Sequence, residues 1–305
     1  MIRPASAAAS APEWVRRRER GSIWLLRLMA TFSLRAGRRG GRIVLYAIAA
    51  YFFLFAPGAR AASKAYLRRV LGRRPTVRDR FRQVMTFATA VHDRVYLLND
   101  RFELFDITVD GEELMRERVR AGGGAFLVGA HLGSFEVTRA IGRREPGARV
   151  AMVAYEGNAH KINAMLAAIN PRLAEETVAL GTLEAMLRVR GLLDEGVFVG
   201  MLADRTPGGE ATEAVEFLGA AAKFPLGPMR LAALLGRQVI LMLGVYRGGN
   251  RYWVVFEEIA DFSGVERGER EEAIRAAVIR YAGRLEYYCR LYPYNWFNFF
   301  DFWAE

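Results

Sequence analysis

The residues of this chain best suited to chemistry lie in one stretch, Gly122-Gly123-Gly124-Ala125-Phe126-Leu127-Val128-Gly129-Ala130-His131-Leu132-Gly133-Ser134-Phe135-Glu136. A glycine run feeds a short apolar segment of strand length, the segment ends at a histidine, and a glutamate follows five positions later. In a continuous α-helix residues five apart are rotated by about 500°, so His131 and Glu136 would point roughly 140° apart and could not easily touch. If Ala125 to Ala130 is instead a buried strand and a helix begins near Gly133 or Ser134, the imidazole folds back over the first helical turn, where Glu136 lies. A carboxylate there is favoured by the helix N-terminal partial charge and can accept a hydrogen bond from one imidazole nitrogen while the other faces a substrate hydroxyl. That is a general base with its orienting partner.

A lone histidine after a strand is also a common capping or packing residue. The glycine-rich lead-in and the strand–turn–helix setting favour a site, because active sites in open α/β sheets collect at strand C-termini. The elements that would position the pair can be read from the rest of the chain. Phe102 to Val109 alternates like a strand, Glu112 to Ala121 is helical, and Ala148 to Tyr155 and Val197 to Leu202 read as further buried strands. Helices are expected from His160 to about Ile169, which stops at Asn170-Pro171, and from Thr182 to Asp194. The third strand ends at Ala203-Asp204-Arg205, charges again at a strand terminus. Strands alternating with helices imply an α/β fold with a largely parallel sheet. Val215 to Pro228 reads as an apolar loop punctuated by Gly and Pro, followed by a helix from Met229 to Leu235. Gln238 to Tyr246 and Tyr252 to Glu258 pair around Gly248-Gly249-Asn250, and a charged helix runs from Glu269 to Arg290. The tail from Tyr292 to Trp303 is densely aromatic, suited to packing over a site mouth or meeting lipid headgroups.

The 305 residues suffice for one large domain or two small ones, and 52% hydrophobic content supplies a substantial core. The net charge of +11 calls for an anionic partner such as nucleic acid, anionic lipid or an acidic protein. Cys289 stands alone, so no disulfide framework and no cysteine-based zinc site forms within the chain, which suits the cytoplasm or the cytoplasmic face of a membrane. Residues 1–22 read as a flexible basic tail with no secretory signal. Residues 23–100 read as membrane-associated and basic helices, with Ile43 to Ala56 uncharged throughout. That run is short of the roughly 20 residues that span a bilayer comfortably, and arginines flank both of its ends, so it suits an interfacial or re-entrant helix, a span or a core helix. His92, on an amphipathic face, reads as structural. Residues 101–305 read as the catalytic domain.

In this order, five features resemble the lipid A late acyltransferases of the lysophospholipid acyltransferase superfamily. They are the Arg18-Glu19-Arg20-Gly21 juncture before an N-terminal membrane helix, the Gly-x-His-x-Gly-x-Phe-Glu block at His131 and Glu136, and Ala203-Asp204-Arg205. The apolar loop carrying Phe217, Gly219, Phe224 and Pro225 and the Pro293-x-x-Trp296-Phe297 segment complete the set. The resemblance implies a glycerol-phosphate-acyltransferase-like sandwich with an N-terminal membrane-associated helix. It also implies transfer of an acyl chain from acyl carrier protein to a hydroxyl of lipid A or a related glycolipid, at the cytoplasmic face of the inner membrane. It places the catalytic pair on His131 and Glu136, with Glu136 holding the imidazole. Substrate contacts would fall on Gly133, Asp204, Arg205, Phe217, Gly219, Phe224 and Pro225. No cofactor and no metal are implied. Acyl carrier proteins are acidic, so basic patches would steer the encounter, with Arg139, Arg143, Arg172 and Arg230 as candidates. The tail is more aromatic and less basic than expected for action on lipid A itself, so another glycolipid, a phospholipid or a lipid-linked pigment is a rival acceptor.

Two readings of other classes compete. A metal-dependent hydrolase would draw on His131, Glu136 and His160, but three histidines in the whole chain leave few ligands. A non-catalytic lipid binder explains the charge but leaves the strand-end residues without purpose. Nucleic acid is disfavoured, since no recognition module is visible and the aromatics do not interleave with arginines on a strand face.

Overall fold

A computed structural model describes residues 23–138, 147–170, 177–205 and 210–303, so the basic tail, Arg139, Arg143 and Arg172 lie outside the described residues. Nine strands are described: β1 Asp106–Asp110, β2 Phe126–Gly129, β3 Val150–Tyr155, β4 Thr177–Leu180, β5 Phe198–Leu202, β6 Thr212–Phe217, β7 Ala220–Pro225, β8 Gln238–Gly248 and β9 Arg251–Asp261. The helices are α1 Ile23–Phe55, α2 Pro57–Leu71, α3 Val77–Leu97, α4 Glu112–Arg120, α5 Glu156–Ile169, α6 Leu183–Asp194, α7 Gly227–Leu234 and α8 Arg270–Leu291.

Seven strands form one sheet in the order β1-β9-β8-β2-β5-β3-β4, parallel at every pairing except the β8–β9 hairpin. The expected mixed α/β fold with a mostly parallel sheet flanked by helices is therefore present. Strand β2 lies near the centre and is buried along its whole length, as parallel strands covered on both faces must be. Its side chains alternate between two cores. Phe126 and Val128 pack into a cluster with α2, α6, α7 and α8, whereas Ala125 and Leu127 pack into another with α4 and the end of α3. Gly124 opens β2 where a Cβ would overlap the Val197 carbonyl oxygen, so the glycine run serves close backbone packing at the strand entrance.

Several elements differ from the sequence reading; Phe102–Leu104, expected to open a strand, is a 3₁₀ turn ahead of β1. Strand β4 was not anticipated, being four residues at the sheet edge. The stretch expected as an apolar loop is an antiparallel hairpin, β6–β7, turning through Leu218 and Gly219, both at positive φ. Gly219 supplies the left-handed conformation such a tight turn demands.

Helix α1 is continuous from Ile23 to Phe55 except for a kink at Gly37, whose φ of 71° is non-helical. It leaves Ile43, Tyr46, Tyr51, Leu54 and Phe55 exposed. No single helix among the described residues is long and apolar enough to cross a membrane; α1 and α2 together meet that test but are bent by 94° between them. The opposite side of α1 is clasped to α3 and to the β8–β9 turn. Arg38 donates to both oxygens of the buried Asp93 on α3, at 2.7 and 2.8 Å, and also to the Gly249 carbonyl at 2.6 Å. The Tyr252 hydroxyl donates to the same carboxylate at 2.8 Å. His92 packs against Gly41, where a Cβ would overlap its ring, and burial holds its pKa below the ordinary value despite Asp93, with Arg38 and Arg42 adding to the effect. This fits the structural role expected of it.

Removing one partner of a buried ion pair strands the other charge, at a cost of about 3–5 kcal/mol. Arg38→Met should therefore lower equilibrium unfolding stability of the full chain by that order, measured by denaturant titration in detergent. A loss under about 1 kcal/mol would show that the clasp is solvated and weak.

Candidate active site

The register of two neighbouring strands sets the centre of the site. Strands β2 and β5 run parallel with Phe126 opposite Val199 and Gly129 opposite Leu202. Continued two residues past the strand ends, the same register brings His131 beside Asp204. The contact is made twice: the His131 backbone N–H donates to Asp204 Oδ2 at 3.0 Å, and imidazole Nδ1 lies 2.8 Å from Asp204 Oδ1. Asp204 is fully buried, and its Oδ2 also accepts from Trp296 Nε1 at 3.0 Å and Asn298 Nδ2 at 3.2 Å. Burial alone would push its carboxyl up, but the imidazole, the Arg205 guanidinium and the indole N–H hold it well below the usual carboxylate range. With an anion fixed at Nδ1, that nitrogen carries the proton and Nε2 presents a lone pair.

The His131 side chain is 30% exposed, so one edge of the ring remains open. Its pKa lies below the ordinary value: burial and the positive charges of Arg205 and Arg94 outweigh the pull of Asp204. The imidazole is therefore neutral near pH 7, the state a general base requires.

Glu136 does not hold the ring. After His131 the chain passes through Gly133 at φ 73° and then a 3₁₀ turn, Phe135–Thr138, instead of starting an α-helix there. This turn aims the Glu136 carboxylate at α3, where Arg94 Nε meets Oε1 at 2.7 Å, while Ser134 Oγ donates to Oε2 at 3.2 Å. The expectation that Glu136 orients the imidazole is thus corrected: Asp204 does so, from the adjoining strand. Asp204, expected to face substrate, lies beneath the histidine. Arg205 is tied down too, its Nε donating to Asn298 Oδ1 at 2.6 Å and its Nη2 to the Phe297 carbonyl at 3.1 Å. Burial lowers its pKa to about 10 against the influence of Asp204.

The other expected substrate contacts have local structural work. Gly133 is required by backbone contact, since a Cβ would overlap the Gly244 carbonyl oxygen, which accepts from Ser134 N at 2.7 Å. Phe217 and Phe224 are fully buried, and Pro225 is buried at the end of β7. The Phe217 ring packs 5.4 Å from that of Trp296, so the hairpin supports the indole that grips Asp204. Gly219 is at the exposed hairpin turn. The aromatic tail packs beneath the site: Phe297 N donates to the His131 carbonyl at 2.8 Å, and Leu132 bridges to Trp296. Arg230 instead pairs with Glu271 on the surface.

Sequence reasoning missed Arg94, Trp296 and Asn298 as partners of the site. One face of α3 forms a wall beside it: Gln83 Nε2 donates to the Trp296 carbonyl at 2.7 Å, the Phe87 ring packs 5.2 Å from Phe297, and Arg94 meets Glu136. Positions 83, 87 and 94 share that face by helical spacing, the one signal that could have grouped them. Among the described residues no group of three or more His, Cys, Asp or Glu side chains is placed to hold a metal ion. The side chain of His160 lies outside those described.

Two glycine substitutions should separate backbone contact from turn geometry. Gly133→Ala meets both a positive φ and an overlapping carbonyl, and should cost about 3 kcal/mol or more. Gly219→Ala has positive φ but open space around it, and should cost about 1–2 kcal/mol. Thermal melts of the two variants test the order; equal losses would refute the close approach at Gly133.

A family model described as bacterial lipid A biosynthesis acyltransferase matches residues 18–278. A search of curated proteins returned no match. The matched span takes in α1, the His131–Glu136 block, Asp204, the β6–β7 hairpin and the first part of α8. On that coverage the chain belongs to the bacterial lipid A biosynthesis acyltransferase family.

Proposed function

We propose that this acyltransferase moves a fatty acyl chain from acyl carrier protein to a hydroxyl of a lipid A-type glycolipid, with His131 as general base and Asp204 as its positioning residue. The observation that carries the reading is the Asp204–His131 contact at 2.8 Å at the C-terminal ends of two adjacent parallel strands. Family membership supports the acyl transfer and the lipid A-like acceptor.

Nε2 takes the proton from the acceptor hydroxyl as its oxygen bonds to the thioester carbonyl carbon. Collapse of the tetrahedral intermediate breaks the carbon–sulfur bond, and the departing thiolate takes the proton from the imidazolium. Asp204 keeps the ring in the reactive tautomer and stabilises the imidazolium while it exists. The anion fixed below the ring offsets the positive charge formed on it, and the partly open edge admits the acceptor.

Attachment to the cytoplasmic face of the inner membrane fits the apolar side of α1. Exposed Ile43, Tyr46, Tyr51, Leu54 and Phe55 offer a surface for the lipid interface, with arginines near the same helix to meet anionic headgroups. The net charge of +11 likewise suits an acidic carrier protein as donor.

Acyl transfer from an acyl-carrier-protein thioester to a lipid A-type disaccharide in mixed vesicles tests the mechanism. His131→Ala should lower kcat by about 10²–10⁴-fold, and Asp204→Asn by a comparable factor through loss of the correct tautomer. The wild-type rate should fall on acidification with an apparent pKa below 6.5, because protonation silences Nε2. Asp204→Asn removes the charge that raises the imidazole pKa and should move this limb further to acid. Full turnover in His131→Ala would sink the mechanism.

A further inference from the structure

We propose that Arg94, aimed by Glu136, is a catalytic residue of this site, its guanidinium receiving the oxyanion that forms on the thioester carbonyl oxygen. The inference rests on the acyl-transfer reading above and gives Glu136 a task now that Asp204 orients the imidazole.

Acyl transfer places a full negative charge on the former carbonyl oxygen, close to the base that has just gained a proton. A site that accelerates this step needs a fixed donor directed at that oxygen. Two guanidinium groups act electrostatically on His131, those of Arg205 and Arg94. Arg205 is locked into the tail through Asn298 and Phe297. Arg94 is placed differently. Its Nε meets Glu136 Oε1 as an ion pair at 2.7 Å, without hydrogen-bond geometry, and its Nη1 donates to Met165 Sδ at 3.2 Å. The side chain is 24% exposed, against 9% for Glu136. The carboxylate thus grips one edge of a planar fork and leaves another edge accessible, the arrangement that preorganises a guanidinium without consuming it.

A purely structural tie explains the pair less well. Helix α3 is already secured along this wall by Gln83 on the Trp296 carbonyl, by Phe87 on Phe297, and on its other side by Asp93 with Arg38 and Tyr252. Ser134 further fixes the Glu136 carboxylate from its own turn. Glu136 sits in the same Gly-x-His-x-Gly-x-Phe-Glu block as the base, so the turn that carries His131 also sets the direction of the Arg94 guanidinium paired with it.

The experiment uses the full chain in vesicles, with the thioester and disaccharide assay above, and compares Arg94→Met, Arg94→Lys and Glu136→Gln with wild type and His131→Ala. Arg94→Met should lower kcat by about 10²–10³-fold with the acceptor KM within threefold, the pattern of an interaction made only in the transition state. Arg94→Lys, which keeps the charge but lacks the fork, should recover only part of the loss. The charged groups facing His131 are Asp204 and Arg205 beyond β5 and Arg94 on α3, itself paired with Glu136. Removing Arg94 takes away a positive charge, so the acid limb should move to higher pH; Glu136→Gln takes away a negative charge, so the limb should move to lower pH. If Arg94→Met melts early, Arg94→Lys decides, and wild-type kcat there overturns the proposal. It is also overturned if Arg94→Met keeps kcat while His131→Ala is inactive, or if only the acceptor KM rises. Absence of turnover in the wild-type chain would count against the acyl-transfer reading itself, which keeps the two failures distinct.

Discussion

The site depends on keeping one carboxylate charged in the interior. Moving such a group out of water costs several kcal/mol unless its lone pairs are occupied and a positive or polarisable partner stands close by. Asp204 meets that requirement through the His131 backbone, the His131 ring, Trp296 and Asn298. These donors come from the end of β2 and from the C-terminal tail. The carboxylate therefore binds two remote stretches to the end of β5. The tail, although it follows the last helix, is part of the site's foundation.

This arrangement divides the electrostatic work. Beneath the imidazole lies a buried anion that fixes the tautomer and stays ionised because its neighbours hold its pKa down. Beside it lies the Glu136–Arg94 pair, reached across from α3 and partly open to solvent. Two acids near one histidine thus occupy different environments and serve different ends. The imidazole is kept neutral by its burial and by the surrounding guanidinium groups.

Helix α3 connects this chemistry to the N-terminal helices over three consecutive residues. His92 and Asp93 face α1, contacting Gly41 and Arg38, while Arg94 faces Glu136. Successive residues on a helix diverge by about 100°, so one turn serves both sides. The exposed apolar side of α1 and His131 are consequently held in a fixed relation by packed helix and paired charge.

Much of the scaffold was legible in the chain itself, because burial imposes periodicity that any reader can follow. Alternating strand and helix patterns marked β2, β3 and β5, and Gly248-Gly249 marked the β8–β9 hairpin, since apolar periods and turn glycines are local consequences of backbone geometry. His131 at the end of a buried strand was legible for the same reason. Its true partner was not. Glu136 lay close in sequence and Asp204 lay 73 positions away, and only the pairing of β2 with β5, and the register of that pairing, decides between them. Residues such as Trp296, Asn298 and Arg94 resemble an aromatic tail and a basic helix surface until the chain folds. Nothing local shows that Phe217 and Phe224 turn inward to support the indole, or that Gly133 serves a backbone contact. Such identities are set by which segments meet across the sheet, a long-range packing outcome that no single segment encodes.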